Sequence, residues 1–167
     1  AFYLLENVIR DYAWGHPRDI PDFLGIDYPD GKPAAELWMG AHPGAPSIVT
    51  GEDGERVDLH TLITGDPGAF LGADVAGRYG RLPFLFKLLA AGKSLSIQAH
   101  PDKASAEEGY ARENEEGVPV DSPVRNYRDD NHKPEIMMAL TTFSAMIGFR
   151  SPGHIADRFR ALQEASG

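Results

Sequence analysis

The sequence predicts a mainly β fold with short helices added, and three observations carry that prediction. Gly and Pro number 18 and 13 of 167 residues, above the usual combined share of about 12%, which favours many turns between short strands. Several short apolar segments alternate with the two-residue period of a strand. One of them, 94–100, carries a polar face of hydroxyl, amide and imidazole. That face suits the interior of a β-barrel better than open solvent.

Taken in chain order, Phe2 to Trp14 is apolar with scattered charges and reads as one or two strands, broken by Gly15, Pro17 and Pro21. Asp27 to Pro33 is a turn cluster. Ala35 to Gly40 and Ser47 to Thr50 read as strands, the second followed by a Gly-Glu-Asp-Gly turn at 51–54. Leu59 to Tyr79 mixes apolar residues at helical spacing with Gly and reads as one or two short helices. Pro83 to Ala91 is the strongest buried strand, with Phe84, Phe86 and Leu88 on one face and Leu85, Lys87 and Leu89 on the other. Gly92 and Lys93 link it tightly to a second strand, Ser94 to His100, so the pair reads as a hairpin or as close neighbours in one sheet.

Asp102 is placed to cap a helix running to about Glu116, and 117–127 reads as loop. Glu135 to Phe149 fits a strand pair or a helix by pattern alone, and its β-branched and aromatic residues favour strands. Ser151 and Pro152 then cap and open a helix with Ile155, Phe159 and Leu162 on one face. That stripe needs a covering partner, so the expectation is that more protein follows Gly167.

The length fits one domain, and 42% hydrophobic residues mark a globular chain. With no Cys, disulfides, thiolate metal sites and a Cys nucleophile are excluded, in keeping with a cytoplasmic location. No run approaches the roughly 20 apolar residues that span a bilayer, and Ala1 to Arg10 lacks the pattern of a signal peptide. A net charge of −9 argues against nucleic-acid and anionic-membrane partners.

The chemistry concentrates in two segments. In an extended 94–102, Ser96, Gln98 and His100 share one face. In 129–135 (Asp-Asp-Asn-His-Lys-Pro-Glu), Lys133 and Glu135 share a face if extended, a conformation Pro134 favours for Lys133. One imidazole, one amide and one carboxylate suit a divalent ion such as Zn²⁺ better than Ca²⁺ or Mg²⁺. Each residue also has an ordinary reading: a satisfied histidine at 100, a hydrogen-bonding strand amide at 98, a surface pair of Lys133 with Glu135, and core tryptophans at 14 and 38. Lys87 interrupts an apolar strand, where an unpaired ammonium is costly, so it wants an anion.

Four segments together resemble type I mannose-6-phosphate isomerases: 96–103 (Ser-Ile-Gln-Ala-His-Pro-Asp-Lys), 130–135 (Asp-Asn-His-Lys-Pro-Glu), 11–15 (Asp-Tyr-Ala-Trp-Gly) and 35–43 (Ala-Glu-Leu-Trp-Met-Gly-Ala-His-Pro). The resemblance implies a cupin-like jelly-roll barrel, with 1–150 as its metal-binding portion and 151–167 as the start of a helical segment. It implies zinc held by Gln98, His100 and Glu135, phosphate contacts from Ser96 and Lys87, and a pocket lined by Trp14, Glu36 and Lys133. Lys133 is the catalytic candidate, as acid/base or as a stabiliser of negative charge. The implied reaction interconverts mannose 6-phosphate and fructose 6-phosphate through an enediol. The family's fourth ligand, a second His, and its catalytic Arg belong to a downstream segment, and His154 on the last helix is no match for that His. Two rivals remain: another cupin enzyme such as an epimerase or iron dioxygenase, and a non-catalytic metal- and sugar-binding module or a truncated fragment that folds without turnover.

Overall fold

In the computed structural model, which describes residues 3–51 and 54–166, every described strand and four of the six described helices precede residue 90. Phe2 of the first expected strand, and Glu52 and Asp53 of the expected turn, lie outside the described residues. The strands are β1 (Leu5–Glu6), β2 (Val8–Arg10), β3 (Glu36–Met39), β4 (Ile48–Thr50), β5 (Arg56–Asp58) and β6 (Phe86–Leu89). The helices are α1 (Asp19–Leu24), α2 (Leu59–Gly65), α3 (Pro67–Leu71), α4 (Ala73–Tyr79), α5 (Lys103–Glu115) and α6 (Pro152–Ser166). The chain forms two compact units, Ala1–Gln98 and Ala99–Gly167.

The first unit holds two three-stranded antiparallel sheets, ordered β1-β4-β5 and β2-β3-β6. In the second sheet the register stacks Val8, Trp38 and Lys87 across the strands, then Ile9, Leu37 and Leu88, then Arg10, Glu36 and Leu89. Because side chains alternate faces, Ile9, Leu37, Met39 and Leu88 share one face and Arg10, Glu36, Trp38 and Lys87 the other. The apolar face makes the core. Leu37 packs with Ile20, Ala34 and Ala90, and Ile9, Tyr28, Met39 and Leu88 close around them. Ser47 joins the two sheets as a buried hydroxyl that accepts from the Gly40 N–H at 2.9 Å and donates to Asn7 Oδ1 at 2.8 Å.

The helices follow local chemistry. Asp58 caps α2 by accepting the Thr61 N–H at 2.6 Å, and Asp66 caps α3 through Ala69 at 3.0 Å. Asp66-Pro67 and Gly72 thereby cut the expected one or two helices into three. Pro21, expected to break the chain, instead sits buried in the first turn of α1, where its missing N–H costs nothing. Asp102 caps α5 as expected, its carboxylate accepting the Ser105 N–H at 2.8 Å.

Three expectations are corrected. Ser94 to His100 forms no strand, and no hairpin follows β6. The amides of Gly92 and Lys93 both donate to the Trp14 carbonyl, at 2.9 and 3.0 Å, and Ala91 bridges to Gly15. The chain therefore leaves β6 toward residues 14–16 instead of turning back. Gly92 suits this approach, since a Cβ there would stand 3.0 Å from the His16 Cα. Glu135 to Phe149 is neither strand nor helix: no described segment offers it a ladder, and Ile136, Met138, Met146 and Phe149 are exposed. With those two segments irregular, helical residues outnumber strand residues, so the described chain is sheets plus helices rather than mainly β. Helix α6 forms where expected, and none of its described residues is buried.

The Leu37 face should dominate the stability of the first unit. Leu37, 4% exposed, when changed to Ala should lower unfolding free energy by about 2–5 kcal/mol. Leu4→Ala, at 91% exposure, should stay within about 0.5 kcal/mol of wild type. Urea titration of both variants checks the contrast.

Candidate functional site

The residues expected to act fall in both units: Trp14, Glu36, Lys87, Ser96 and Gln98 in the first, His100, Lys133 and Glu135 in the second. In the first unit the polar face of the β2-β3-β6 sheet brings Glu36 and Lys87 together. Glu36 is 6% exposed, and a carboxylate so buried needs donors. Lys87 Nζ donates to its Oε1 at 3.2 Å and the Trp38 indole N–H to its Oε2 at 2.7 Å. The anion that Lys87 was expected to need is thus in part supplied by the protein itself.

Trp38 therefore does polar work as well as packing. It also meets the His42 ring edge-on, with centroids 4.8 Å apart. The Arg10 guanidinium lies 4.9 Å from the Trp38 ring centre and 5.3 Å from that of Tyr12, within cation–π range. Tyr12 in turn stacks on Trp14 at 5.9 Å. Trp14 is half-buried, while Ser96 and Gln98 are exposed, with no strand to align them on one face. Arg10 carries no reading from sequence, and Trp38 is read there only as a core tryptophan. The signal for Trp38 was its position two residues after Glu36 on one strand.

In the second unit His100 and Glu135 meet. His100 Nδ1 stands 4.0 Å from Glu135 Oε2, although 34 intervening residues separate them in sequence. Two ligands of one tetrahedral zinc ion, each bonded at roughly 2.0–2.2 Å, are about 3.3–3.5 Å apart. A small side-chain adjustment would let this pair share an ion. Among the described residues no three His, Asp or Glu side chains converge, so the expected ligand set depends on an amide for its third member. Lys133 Nζ lies 3.5 Å from Asp129 Oδ2 and is half-exposed, and His132 is exposed.

Helix α5 holds the segment leading to Glu135. Glu113 accepts from the backbone N–H groups of Asn126, at 3.1 Å, and Tyr127, at 2.8 Å. Arg125, its side chain fully buried, lies 3.3 Å from Glu113 and donates to the carbonyls of Tyr127 and Val118 and to Asn114 Oδ1. The Tyr127 N–H foremost, against the opposing effect of burial, holds the Glu113 carboxyl below its usual 4.5. A Cβ on Gly109 would come within 2.5 Å of the Tyr127 ring, so only glycine lets the loop lie this close to the helix. These residues carried no sequence signal, since nothing in a loop pattern says which of its charges will be buried.

The chain belongs to the family described as phosphomannose isomerase type I, catalytic domain, which matches residues 2–152. It is similar to the mannose-6-phosphate isomerases of Salmonella typhimurium, 47% identical over 98% of this chain and 41% of that protein, and Escherichia coli, 49% identical over the same shares. The chain thus spans about two fifths of the length of the curated relatives it matches. Among solved structures it resembles a zinc-bound mannose 6-phosphate isomerase, with TM-score 0.72 and 48% identity over 78% of this chain and 33% of that one. It matches equally the Salmonella typhimurium enzyme bound to fructose 6-phosphate and zinc, again with TM-score 0.72, 48% identity and the same coverage.

The cap of α5, just after His100, gives this region a pH dependence. Hydrogen bonding from the Ser105 N–H lowers the Asp102 carboxyl below its usual 3.8. A carboxyl lowered on folding adds stability that is present above its unfolded value and lost as pH falls through its folded one. Asp102→Asn keeps a cap acceptor at every pH. Thermal melts from about pH 4 downward should therefore lose stability less steeply in the variant than in wild type.

Proposed function

We propose that this chain carries the metal-binding and part of the substrate-binding machinery of a zinc-dependent aldose–ketose isomerase that interconverts mannose 6-phosphate and fructose 6-phosphate. The approach of His100 to Glu135 carries the reading: it brings an imidazole and a carboxylate, from two segments of family resemblance, to 4.0 Å, a small side-chain adjustment from the separation of two ligands on one ion. Gln98, two residues before His100 in sequence, is the third ligand of the proposal. The fold expected is a cupin-like barrel, with 1–150 as its metal-binding portion and 151–167 the start of a helical segment. A cytoplasmic location is part of the same reading, and no helix among the described residues is long and apolar enough to cross a membrane.

Isomerisation moves a proton between C1 and C2 and builds negative charge on the sugar oxygens. Bound zinc would polarise those oxygens and stabilise that charge without redox chemistry. Lys87 and Ser96 would hold the phosphate by charge-assisted and hydroxyl hydrogen bonds, and Trp14 and Glu36 would orient the sugar. Lys133 would carry a proton or stabilise the enediolate from its ammonium. The alternative reading, a metal- and sugar-binding module without turnover, is separated by a coupled assay. Turnover is measured on these 167 residues alone and on the same residues joined to a downstream segment of the length the relatives carry.

His100→Ala should leave purified protein without stoichiometric zinc, read by elemental analysis. Zinc retained at the wild-type level would remove His100 from the ligand set. Lys87→Met deletes a charge-assisted hydrogen bond worth about 1.5–3 kcal/mol. In the active protein it should raise KM for fructose 6-phosphate by roughly 10–100-fold. An unchanged KM would exclude Lys87 from the phosphate site.

A further inference from the structure

We propose that Lys103 is a positioning residue for the metal site, fastening the segment that carries Glu135 to the helix that follows His100. The inference rests on the zinc reading above. Lys103 is the first residue of α5 and stands three residues after His100. Its ammonium donates to the Asp130 carbonyl at 2.8 Å and lies 3.8 Å from the Asp130 carboxylate. Asp130 stands five residues before Glu135. This contact therefore ties together the two segments, 96–103 and 130–135, that bring an imidazole and a carboxylate to within 4.0 Å. The resemblance gives Lys103 no role.

The segment from 128 to 135 has no helix or strand to hold it, so side-chain contacts must help to set its course. Three ties from α5 and its loop are in place. Glu113 takes the Asn126 and Tyr127 amides, Arg125 takes the Tyr127 carbonyl, and Lys103 takes the Asp130 carbonyl. Of these, the Lys103 tie is nearest in sequence to Glu135, and at its other end it is nearest to His100. A positive charge close to a cation site would repel the ion if unmatched. The Glu107 carboxylate at 3.0 Å and that of Asp130 offset it. Lys103 is half-exposed, so its ion pairs add little to stability, and its effect should show in metal affinity instead. Groups that orient metal ligands from outside the coordination shell typically change affinity by about 10–100-fold.

The test measures zinc affinity by chelator competition, and the visible spectrum of cobalt(II)-loaded protein, for wild type, Lys103→Met, Lys103→Arg, Glu107→Gln and His100→Ala. Lys103→Met should weaken zinc about 10–100-fold and change the cobalt spectrum, with metal-free melting close to wild type. Lys103→Arg, which keeps a donor for the carbonyl, should recover most of the loss, and Glu107→Gln, which leaves the tie to the Asp130 carbonyl in place, should lose far less affinity than Lys103→Met. Wild-type affinity in Lys103→Met while His100→Ala loses zinc overturns the positioning role alone. Equal losses in Glu107→Gln and Lys103→Met, or no recovery in Lys103→Arg, also overturn it. If wild type and His100→Ala bind zinc alike, the zinc reading itself fails and this inference with it. Should Lys103→Met not fold, Lys103→Gln, too short to bridge to Asp130, is judged by the same criteria.

Discussion

Glu36 occupies the middle of a three-stranded ladder with almost no access to solvent, and both of its oxygens are taken, one by the Lys87 ammonium and one by the Trp38 indole. A carboxylate in that place is tolerable only while those donors are present. The requirement fixes much else in the first unit. Trp38 must stand two residues on from Glu36, and Lys87 must lie across from Trp38 on β6. The intervening Leu37 then has to face the opposite way, into the core with Ile20, Ala34 and Ala90. One register satisfies the polar and the apolar face together, and a one-residue slip would lose both.

The second unit solves a different problem. Its long segment after α5 has almost no regular structure, so backbone amides and carbonyls must find partners elsewhere. Glu113 and Arg125 provide them, and each is buried only because the other and the loop backbone surround it. Gly109 removes the side chain that would otherwise hold Tyr127 away. A buried ion pair of this kind adds little net stability over an apolar replacement, but it specifies one path for the loop. That path delivers residues 129–135 beside the helix start, where His100 lies three residues ahead of Lys103.

Legibility from sequence followed the range of the interaction. Elements set by a few neighbouring residues were readable: the cap at Asp102, the Ser151-Pro152 helix start, and the alternation that marked β3, β4 and β6. The need of Lys87 for an anion was readable too, because an ammonium between leucines is costly wherever the strand goes. What escaped were choices made at a distance. Gly92-Lys93 looked like a hairpin turn, but its amides are taken by Trp14 almost eighty residues earlier. Pro21 looked like a breaker because its place in a first turn depends on where α1 begins. Residues 135–149 have strand-like composition, yet a strand exists only when another backbone meets it. His100 and Glu135 could be named as partners only through resemblance, since no short spacing links them.

Under the proposed function, a net charge of −9 stands against an anionic substrate. Lys87 does not resolve it at long range, because Glu36 already matches its charge. A bound divalent cation would. The segment 129–135 is itself rich in carboxylates, with Asp129, Asp130 and Glu135 against Lys133, which favours a cation and disfavours an anion. Once occupied, the same place would present positive charge to the sugar oxygens of the proposed substrate at short range, inside the roughly 8–10 Å over which salt screens the rest of the surface. On this reading the acidity of the chain and the charge of its substrate are reconciled by the ion between them. The geometry that matters most is then whatever keeps His100 and Glu135 within reach of that ion.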